Sequence, residues 1–448
     1  MMLSGALVVC SLLATLATLG EGLTVSKSGP WRRAREYVVL QQQQQVRTLH
    51  GKHTAATLTM ERRDGGLAQF KQWQREAQTN RSAHDAHAAA AAAGISAAGD
   101  QPAGEAPAAA RQTKTHGSDH ELSAVADGVL WSAKLERRVP TGFSDDDVVA
   151  WKRATSDSAV VANISIGCGR MQNRVVTWRD GTHSCARYRL NAEQIQGEIY
   201  SFYLSRLLGI ANVPPSRLSM IHPREKRWLA VSEQLAAAEW QLEKPFVLAR
   251  YVDGLTPAYI PPEMRYANRS LHPSRRLLEK SEDELRELVQ WSDLIVLDYV
   301  TGNVDRVVNN MFNEQWNAYV MDAPAHNLDR VAAPPASGSR QVAPGLLVFY
   351  DNESGLLHSY RLLDTYQAYH DKLLRSLCLF RAKNAAAIAK FHDAGNVGDV
   401  LWKTFATAEP EMHKLVPRLP ARNEAILNKR ITDVFNQIQR CSKLYGKS

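Results

Sequence analysis

The sequence predicts an α+β fold of two lobes, a small β-rich N-lobe and a larger helical C-lobe, preceded by a disordered stem. Short apolar segments of strand length, separated by turn residues, fill the chain between about 159 and 251. Apolar residues at helical spacing dominate from about residue 281 to the C-terminus. Residues 25–123 carry few large apolar side chains, so they cannot bury enough surface to fold.

Residues 1–24 are predicted to be a signal peptide or a signal anchor. Residues 1–20 contain no charged side chain and are rich in Leu, Val and Ala. The first basic residues, Lys27 and Arg32, follow the apolar run, and this order favours cleavage over retention as an anchor. Both alternatives place the rest of the chain in the secretory pathway. Membrane contact is expected only through such an anchor.

The stem at 25–123 is a low-complexity segment with a glutamine run at 41–45 and an Ala-rich tract at 86–112. This composition is typical of a disordered spacer, with some helix expected near 60–78. The whole chain has 54 basic and 46 acidic residues and a net charge of +8. Because the basic residues form no long run, no nucleic-acid binding is expected.

The cysteines indicate an oxidising compartment. Cys10 lies in the leader, and the four cysteines that remain are an even number, which favours pairing in the lumen. Four cysteines allow three connectivities. We favour Cys168–Cys185 across a hairpin and Cys378–Cys441 between C-terminal helices.

Glycosylation sequons agree with a lumenal chain. Asn80, Asn163 and Asn268 are expected to carry glycans. Asn352 also starts a sequon, but it follows a candidate metal ligand, where a glycan would obstruct chemistry. We therefore expect Asn352 to remain unmodified.

The N-lobe is predicted at 124–252. Ser144, followed by three Asp residues, is typical of a helix N-cap. A second helix is expected at 191–209, capped by Asn191 and ended by Gly209. Strands of an antiparallel sheet are predicted at 159–166, 174–179, 185–188, 217–221, 228–234 and 245–251.

The C-lobe is predicted at 253–448. Ser281 and Glu284 form a capping-box pattern that begins a long apolar helix ending at Asp298. A loop at 299–310 follows, and the Pro-, Ala-, Ser- and Gly-rich residues 321–344 are expected to be a surface insertion. A strand at 346–350 precedes Asp351, and the rest of the chain from 361 to 445 is predicted to be helical.

Five polar residues on this layout have the chemistry of phosphoryl transfer. Arg187 can reach nucleotide phosphates, and Glu198 on the next helix can pair with it. Asp305 can orient or deprotonate an acceptor hydroxyl. Asn310 and Asp351 can hold a divalent metal, Mg or Mn, that bridges the phosphates of ATP. Taken singly, each has a structural alternative, such as a turn residue at Asp351.

Three further assignments complete the candidate site. Backbone groups of the inter-lobe strand 247–253, with Arg250 and Tyr251, are expected to contact the nucleotide. Glu198 could instead pair with Arg206 on its own helix. The sequence Gly-Cys-Gly at 167–169 is a fragment of a Gly-rich phosphate loop or, as we favour, a turn held by a disulfide.

Residues 124–448 resemble the four-jointed family of Golgi protein kinases, which is itself similar to the Golgi casein kinase. The resemblance is carried by GCGRMQNR at 167–174, Asp-Gly-Thr at 180–182, CARY at 185–188, EQIQGE at 193–198, LVQWSDLIVLDYVTGNVDR at 288–306, Asp-Asn-Glu at 351–353 and CSKLY at 441–445. It implies a bilobed atypical protein-kinase fold. It also implies a catalytic role for Asp305 and a metal-binding role for Asp351.

The resemblance further implies an ATP-dependent Ser/Thr kinase of the Golgi lumen, or a secreted one. Its partners would be cadherin-repeat ectodomains of the Fat and Dachsous type, in planar polarity and growth control. Two departures from ordinary kinases stand out: an Arg at position 187 in place of Lys, and an incomplete Gly-rich loop.

Two other functions remain as alternatives. One is a catalytically inactive secreted or Golgi protein, a pseudokinase that binds cadherin domains. The other is a glycosyltransferase with an Asp-containing metal loop, which fits the compartment but leaves Glu198 and the order of the lobes unexplained.

Overall fold

The computed structural model describes residues 124–156, 158–222, 225–266, 269–332 and 342–446. The predicted signal segment at 1–24, the stem at 25–123 and the sequons at Asn80 and Asn268 lie outside the described residues. Within the described ranges, no helix is long and apolar enough to cross a membrane.

The described residues form ten strands, most of them before residue 260. They are β1 (Val125–Ala126), β2 (Leu130–Trp131), β3 (Val161–Ile166), β4 (Arg174–Trp178), β5 (His183–Arg187), β6 (Ser216–Met220), β7 (Pro245–Arg250), β8 (Leu255–Tyr259), β9 (Pro324–Val331) and β10 (Leu347–Phe349).

The described residues also form twelve α-helices, most of them after residue 270. They are α1 (Ala133–Glu136), α2 (Asp145–Ala154), α3 (Ala192–Leu207), α4 (Ser232–Ala237), α5 (Arg275–Leu278), α6 (Glu282–Thr301), α7 (Val307–Asn313), α8 (His358–Arg361), α9 (Leu363–Arg375), α10 (Ala382–Ala394), α11 (Val397–Ala408) and α12 (Ala421–Tyr445). The predicted α+β class, with a small β-rich lobe and a larger helical lobe, is confirmed.

The N-lobe is built on a five-stranded antiparallel sheet in the order β3-β4-β5-β7-β6. The turn between β4 and β5 uses Gly181 at φ +83°, a conformation that favours glycine. Asp180 stabilises this turn because its side chain accepts a 2.9 Å hydrogen bond from the backbone N–H of Thr182. The hairpin places Arg187 at the end of β5, where it faces α3.

The prediction of a strand at 228–234 is wrong. Lys226–Val231 is a 3₁₀ helix, and α4 follows it directly. Trp228, Val231 and Leu235 are buried together against the sheet. Their spacing of three and then four residues fits one helical face, so period 3.6 describes this segment better than alternation.

Helix α3 lies between the lobes. The side chain of Asn191 caps it by accepting from the N–H of Glu193 at 3.0 Å. Its buried surface continues from Ile195 to Ser205, so it packs against both lobes. Tyr200 and Gln196 both donate to the carbonyl of Pro417 in the C-lobe, at 2.8 and 2.7 Å.

The C-lobe is organised around α6. Its predicted capping box is present, with the Ser281 side chain bonded to the N–H of Glu284 and the Glu284 side chain bonded back. The helix ends at Gly302, which adopts φ +68°. Helix α7 starts inside the predicted loop at 299–310, so that loop is shorter than the sequence indicated.

The surface insertion predicted at 321–344 is wrong in part. Residues Pro324–Val331 form β9, the middle strand of a three-stranded sheet in the order β10-β9-β8. Leu328 and Val331 are buried in this strand. The Pro-, Ala- and Ser-rich residues 333–341 lie outside the described residues, and their composition obscured the strand before them.

The first described residues pack on the helical lobe, although the sequence assigned 124–252 to the N-lobe. The indole of Trp131 donates to the hydroxyl of Ser292 on α6 at 3.1 Å. Its backbone N–H donates to the carbonyl of Phe380 at 2.9 Å. The segment from β1 to α1 is therefore part of the C-lobe core.

Both favoured disulfides are present. Cys168–Cys185 links the turn after β3 to β5, and Cys378–Cys441 links the residues before α10 to α12. Their sequence separations are 17 and 63 residues. The longer loop loses more chain entropy on closure, so this bond stabilises the folded state more in the chain-entropy model.

Replacing both Cys378 and Cys441 by Ala should lower the free energy of unfolding by about 4 kcal/mol, against about 3 kcal/mol for Cys168 and Cys185. Denaturant titration of the two double variants measures both losses. Equal losses, or a larger one for the shorter loop, would contradict the entropic argument.

Candidate active site

A cavity of about 790 Å³ lies between the N-lobe sheet and the β8-β9-β10 sheet. Its volume falls within the range of small-molecule and cofactor sites. Five of the predicted site residues line it together: Arg187, Glu198, Arg250, Tyr251 and Asp351. The inter-lobe segment continues along the wall to Leu255, as expected for a chain that connects two lobes beside a ligand site.

Arg187 is the centre of this wall. Its Nε lies 3.6 Å from Oε1 of Glu198, and its Nη1 lies 3.0 Å from Oδ1 of Asp351. All three side chains are buried. Arg206 forms an ion pair with Asp145. Glu198 therefore pairs with Arg187, and the alternative pair of Glu198 with Arg206 is not formed. One guanidinium thus joins a strand, a helix and the loop after β10.

The three charges set one another's ionisation. Burial raises the pKa of Glu198, and Arg187 opposes that rise only in part. Burial also acts to raise the pKa of Asp351, but Arg187 and two further arginines outweigh it and hold that pKa below its usual value. Asp351 is therefore the carboxylate of this pair that stays ionised most readily.

The loop that carries Asp351 is fixed against α3. Asp351 adopts φ +57°, which is uncommon for a residue other than glycine. Gly197 allows the close approach, because a Cβ at this position would lie 2.5 Å from the carbonyl oxygen of Glu353 and 2.8 Å from that of Gly355. The absence of a side chain at position 197 thus helps to place its neighbour Glu198 beside Asp351.

The other two residues of the Asp-Asn-Glu segment bind the protein itself. Asn352 accepts a 2.6 Å hydrogen bond from Nη2 of Arg306 and donates to the carbonyl of Phe349 at 3.2 Å. It is 2% exposed, so the folded protein offers no access for a glycan. Asn163 on β3 is exposed, and its glycosylation stays a prediction.

Glu353 lies in a cluster of cations. It is paired with Arg189 and with Arg170, whose Nη2 is 3.1 Å from Oε1. Gln194 donates to the same oxygen at 3.0 Å. Burial, together with the charge of Asp351, raises the pKa of Glu353 to about 7.

Arg306 connects the loop after α6 to the Asp351 loop. It is fully buried and paired with Asp298, whose pKa burial raises to about 6. Its Nη2 donates to the carbonyl of Tyr350 at 3.0 Å and its Nε to the carbonyl of Asn327 at 3.2 Å. Asp298 is therefore a structural anchor between the end of α6 and the loop that follows it.

The remaining two predicted residues are not on the cavity wall. Asp305 precedes Arg306 and is half-buried, and its N–H donates to Oδ1 of Asn303 at 2.9 Å. Asn310 on α7 is buried, and its Nδ2 donates to the carbonyl of Val320 at 3.1 Å. The catalytic role of Asp305 and the metal role of Asn310 stay predictions.

Several residues of the cavity wall were not predicted from the sequence. His326, Asn327, Asp329 and Tyr350 line the cavity, and the Tyr350 hydroxyl donates to Oδ2 of Asp329 at 2.8 Å. Most of them lie on or beside β9, the strand hidden in the presumed insertion. The alternation of Asn327 and Asp329 was the available signal, since residues two apart share one face of a strand.

The charged residues fit a divalent cation and a polyphosphate. Oε2 of Glu198 is buried and has no hydrogen-bond partner in the described part of the chain, although a buried carboxylate oxygen normally has one. Carboxylate oxygens are the ligands that Mg²⁺ prefers. No group of three or more His, Cys, Asp or Glu residues with metal-binding geometry occurs among the described residues.

Replacing Arg306 by Ala should lower the free energy of unfolding by about 3–5 kcal/mol, because Asp298 would be left as an uncompensated buried charge. The double replacement with Asp298→Ala should recover part of this loss. Denaturant titration measures both. A loss below about 1 kcal/mol for Arg306→Ala would show that this pair behaves like an exposed one.

Comparisons with known proteins agree with the sequence resemblance. The family model of the four-jointed box protein middle domain matches residues 146–444. The extracellular serine/threonine protein kinase four-jointed of Drosophila melanogaster is 39% identical over 373 residues, which cover 72% of this chain and 62% of that protein. Four-jointed box protein 1 of Homo sapiens is 38% identical, over 73% of each chain.

Solved structures give a weaker likeness. A crystal structure of the Golgi casein kinase is 11% identical with a TM-score of 0.44, and it covers 67% of this chain and 76% of its own. Hydra Fam20 with sugar is 13% identical with a TM-score of 0.43, over 69% of this chain and 95% of its own. The family assignment therefore rests on the family model and the curated relatives, and by both the chain belongs to the four-jointed family.

Proposed function

We propose that this protein is an ATP-dependent serine/threonine protein kinase of the secretory pathway. The observation that carries the proposal is the buried ion-pair group of Arg187, Glu198 and Asp351 on the wall of a nucleotide-sized cavity. In protein kinases a strand cation paired with a helix glutamate contacts the phosphates, and an aspartate after a strand holds the metal. This chain supplies the same three charges from the same kinds of element.

Arg187 would bind the α- and β-phosphates of ATP. Arg keeps its charge under all conditions and can bind phosphate oxygens with two parallel hydrogen bonds. Its pairing with Glu198 fixes the guanidinium at the cavity before the nucleotide arrives, so little orientation remains to be established on binding. A divalent metal, when bound by Asp351 and Glu198, would neutralise charge on the phosphates.

Asp305 would orient the acceptor hydroxyl and accept its proton. Its neighbour Arg306 is bonded to Asn352 and to the carbonyl of Tyr350, so the loop of Asp305 is tied to the loop of Asp351. This connection would hold the acceptor side and the phosphate side of the reaction in one geometry. Asn310 would act as a further metal ligand only if its side chain left the carbonyl of Val320.

Folded cadherin repeats of the Fat and Dachsous type are the proposed substrates, in planar polarity and growth control. This part of the proposal is supported by the family resemblance. The Drosophila relative is named an extracellular serine/threonine protein kinase, which supports a lumenal or secreted site of action. The two disulfides are consistent with an oxidising compartment.

Incubation of the purified protein with labelled ATP and isolated cadherin repeats tests the proposal, with Mg²⁺ and Mn²⁺ in separate reactions. We expect label on Ser or Thr of the repeats. Binding of the repeats without label under either metal would favour the inactive binding protein. A parallel reaction with a labelled nucleotide sugar in place of ATP tests the glycosyltransferase, which label on the repeats in that reaction alone would favour.

Replacing Asp305 by Asn should lower kcat by about 10²–10⁴-fold, because the acceptor hydroxyl would lose its general base. The affinity for ATP should not change, since Asp305 is outside the cavity wall. Steady-state kinetics and calorimetric titration with ATP separate these effects. Full activity of the Asn variant would exclude Asp305 as the base.

Replacing Asp351 by Asn should abolish metal-dependent phosphate transfer and remove the enhancement of ATP affinity by Mn²⁺. The amide keeps the shape of the side chain but lacks the anionic oxygen that binds a hard cation. Titration of ATP with and without Mn²⁺ measures this. Asp329→Asn is the matched control on the same wall, and it should retain the metal effect. A metal effect that persists in the Asp351 variant would contradict the assignment.

A further inference from the structure

The turn between β3 and β4 reaches the cavity although it lacks a complete Gly-rich loop. Cys168, Gly169 and Arg170 all line the cavity wall. Cys168 and Gly169 adopt φ +60° and +88°, so two successive left-handed residues reverse the chain. This reversal is followed directly by Arg170, an arginine to which neither the sequence nor the family match gave a role.

Two attachments, a disulfide and a buried asparagine, hold the turn beside Arg187. Cys168 is bonded to Cys185, which lies two residues before Arg187 on β5. Asn173 is completely buried; its Nδ2 donates to the carbonyl of Cys168 at 2.6 Å, and its Oδ1 accepts from Arg189 at 2.5 Å. A Gly-rich loop covers phosphates as a flexible backbone flap, whereas this turn is fixed at both ends.

Arg170 differs from the other arginines of the site in its exposure. Its side chain is 54% exposed, and its contact is the 3.1 Å ion pair with Glu353. The side chains of Arg187 and Arg189 are 7% and 4% exposed. The guanidinium of Arg170 already meets water, and the buried Glu353 keeps Arg189 as a partner, so neither side chain is left without compensation when Arg170 moves away.

Glu353 does not depend on Arg170. Arg189 is buried against it, and Gln194 donates to its Oε1 at 3.0 Å. If Arg170 moved away, these two partners would still satisfy the carboxylate. A phosphate group entering the cavity offers Arg170 a stronger, two-point charge-assisted contact than one shared carboxylate oxygen.

We propose that Arg170 is the phosphate clamp of this protein: it moves from Glu353 to the outer phosphates of ATP and replaces the Gly-rich loop. The Cys168–Cys185 bond holds the turn, and with it the Cα of Arg170, within reach of those phosphates. This inference rests on the proposed function and adds to it a nucleotide-binding residue. Arg187 binds from the buried wall of the site, and Arg170 binds with its exposed side chain from the disulfide-held turn.

Calorimetric titration of the purified protein with ATP, and separately with adenosine, tests the clamp. Arg170→Gln should raise the dissociation constant for ATP about 10- to 100-fold and leave that for adenosine unchanged, because only ATP carries the phosphates. Arg170→Lys should restore part of the affinity. Arg179→Gln, an exposed arginine at the other end of β4, is the matched control and should bind ATP like the wild type.

The replacement of both Cys168 and Cys185 by Ala tests the bracing of the turn, with the melting temperature recorded to confirm folding. This variant should also weaken ATP binding selectively. Wild-type ATP affinity in Arg170→Gln, or an equal loss for ATP and adenosine, would overturn the clamp. Wild-type affinity in the disulfide variant would overturn the bracing. Absence of ATP binding by the wild-type protein would overturn the proposed function itself.

Discussion

The structure depends on the compensation of one buried cation. Arg187 is 6% exposed, and a guanidinium at such a position is tolerated only when anionic groups surround it. Glu198 and Asp351 provide this compensation from α3 and from the loop after β10. The two ion pairs of Arg187 therefore fix the relative positions of β5, α3 and the loop after β10. These three elements belong to both lobes.

The rest of the site repeats this principle with other arginines. Arg189 compensates Glu353, and Arg306 compensates Asp298 while it bonds to Asn352. The Arg189–Glu353 pair and the Arg306–Asn352 hydrogen bond join segments far apart in the chain, whereas Arg306 and Asp298 are eight residues apart. Removing one member would leave a buried charge without a partner, which costs more than the pair contributes when intact. The site is thus a set of mutually dependent pairs, and its geometry is established before any ligand binds.

The sequence predicted much of this arrangement because the signals were local. Short segments were enough to identify the capping box at Ser281 and the hairpin at Gly181. Arg187, Glu198 and Asp351 were each identified from the segment around them. The strand β9 was missed because biased composition follows it, and Trp228 was assigned to a strand because short apolar runs do not separate helix from strand. The bond of Arg306 to Asn352 and the ion pair of Glu353 with Arg189 could not be predicted, since a contact between distant segments leaves no pattern in either one.

The two departures from an ordinary kinase can be explained together. An Arg at position 187 holds two carboxylates with separate nitrogens, which a single ammonium group would do with less directional control. The Gly-rich loop encloses phosphates with backbone N–H groups, and this chain has a disulfide-held turn in its place. A fixed turn cannot close over a ligand by backbone movement, so contact from that side has to come from a long side chain. The rigid backbone and the exposed arginine at its tip are thus two parts of one solution to phosphate binding.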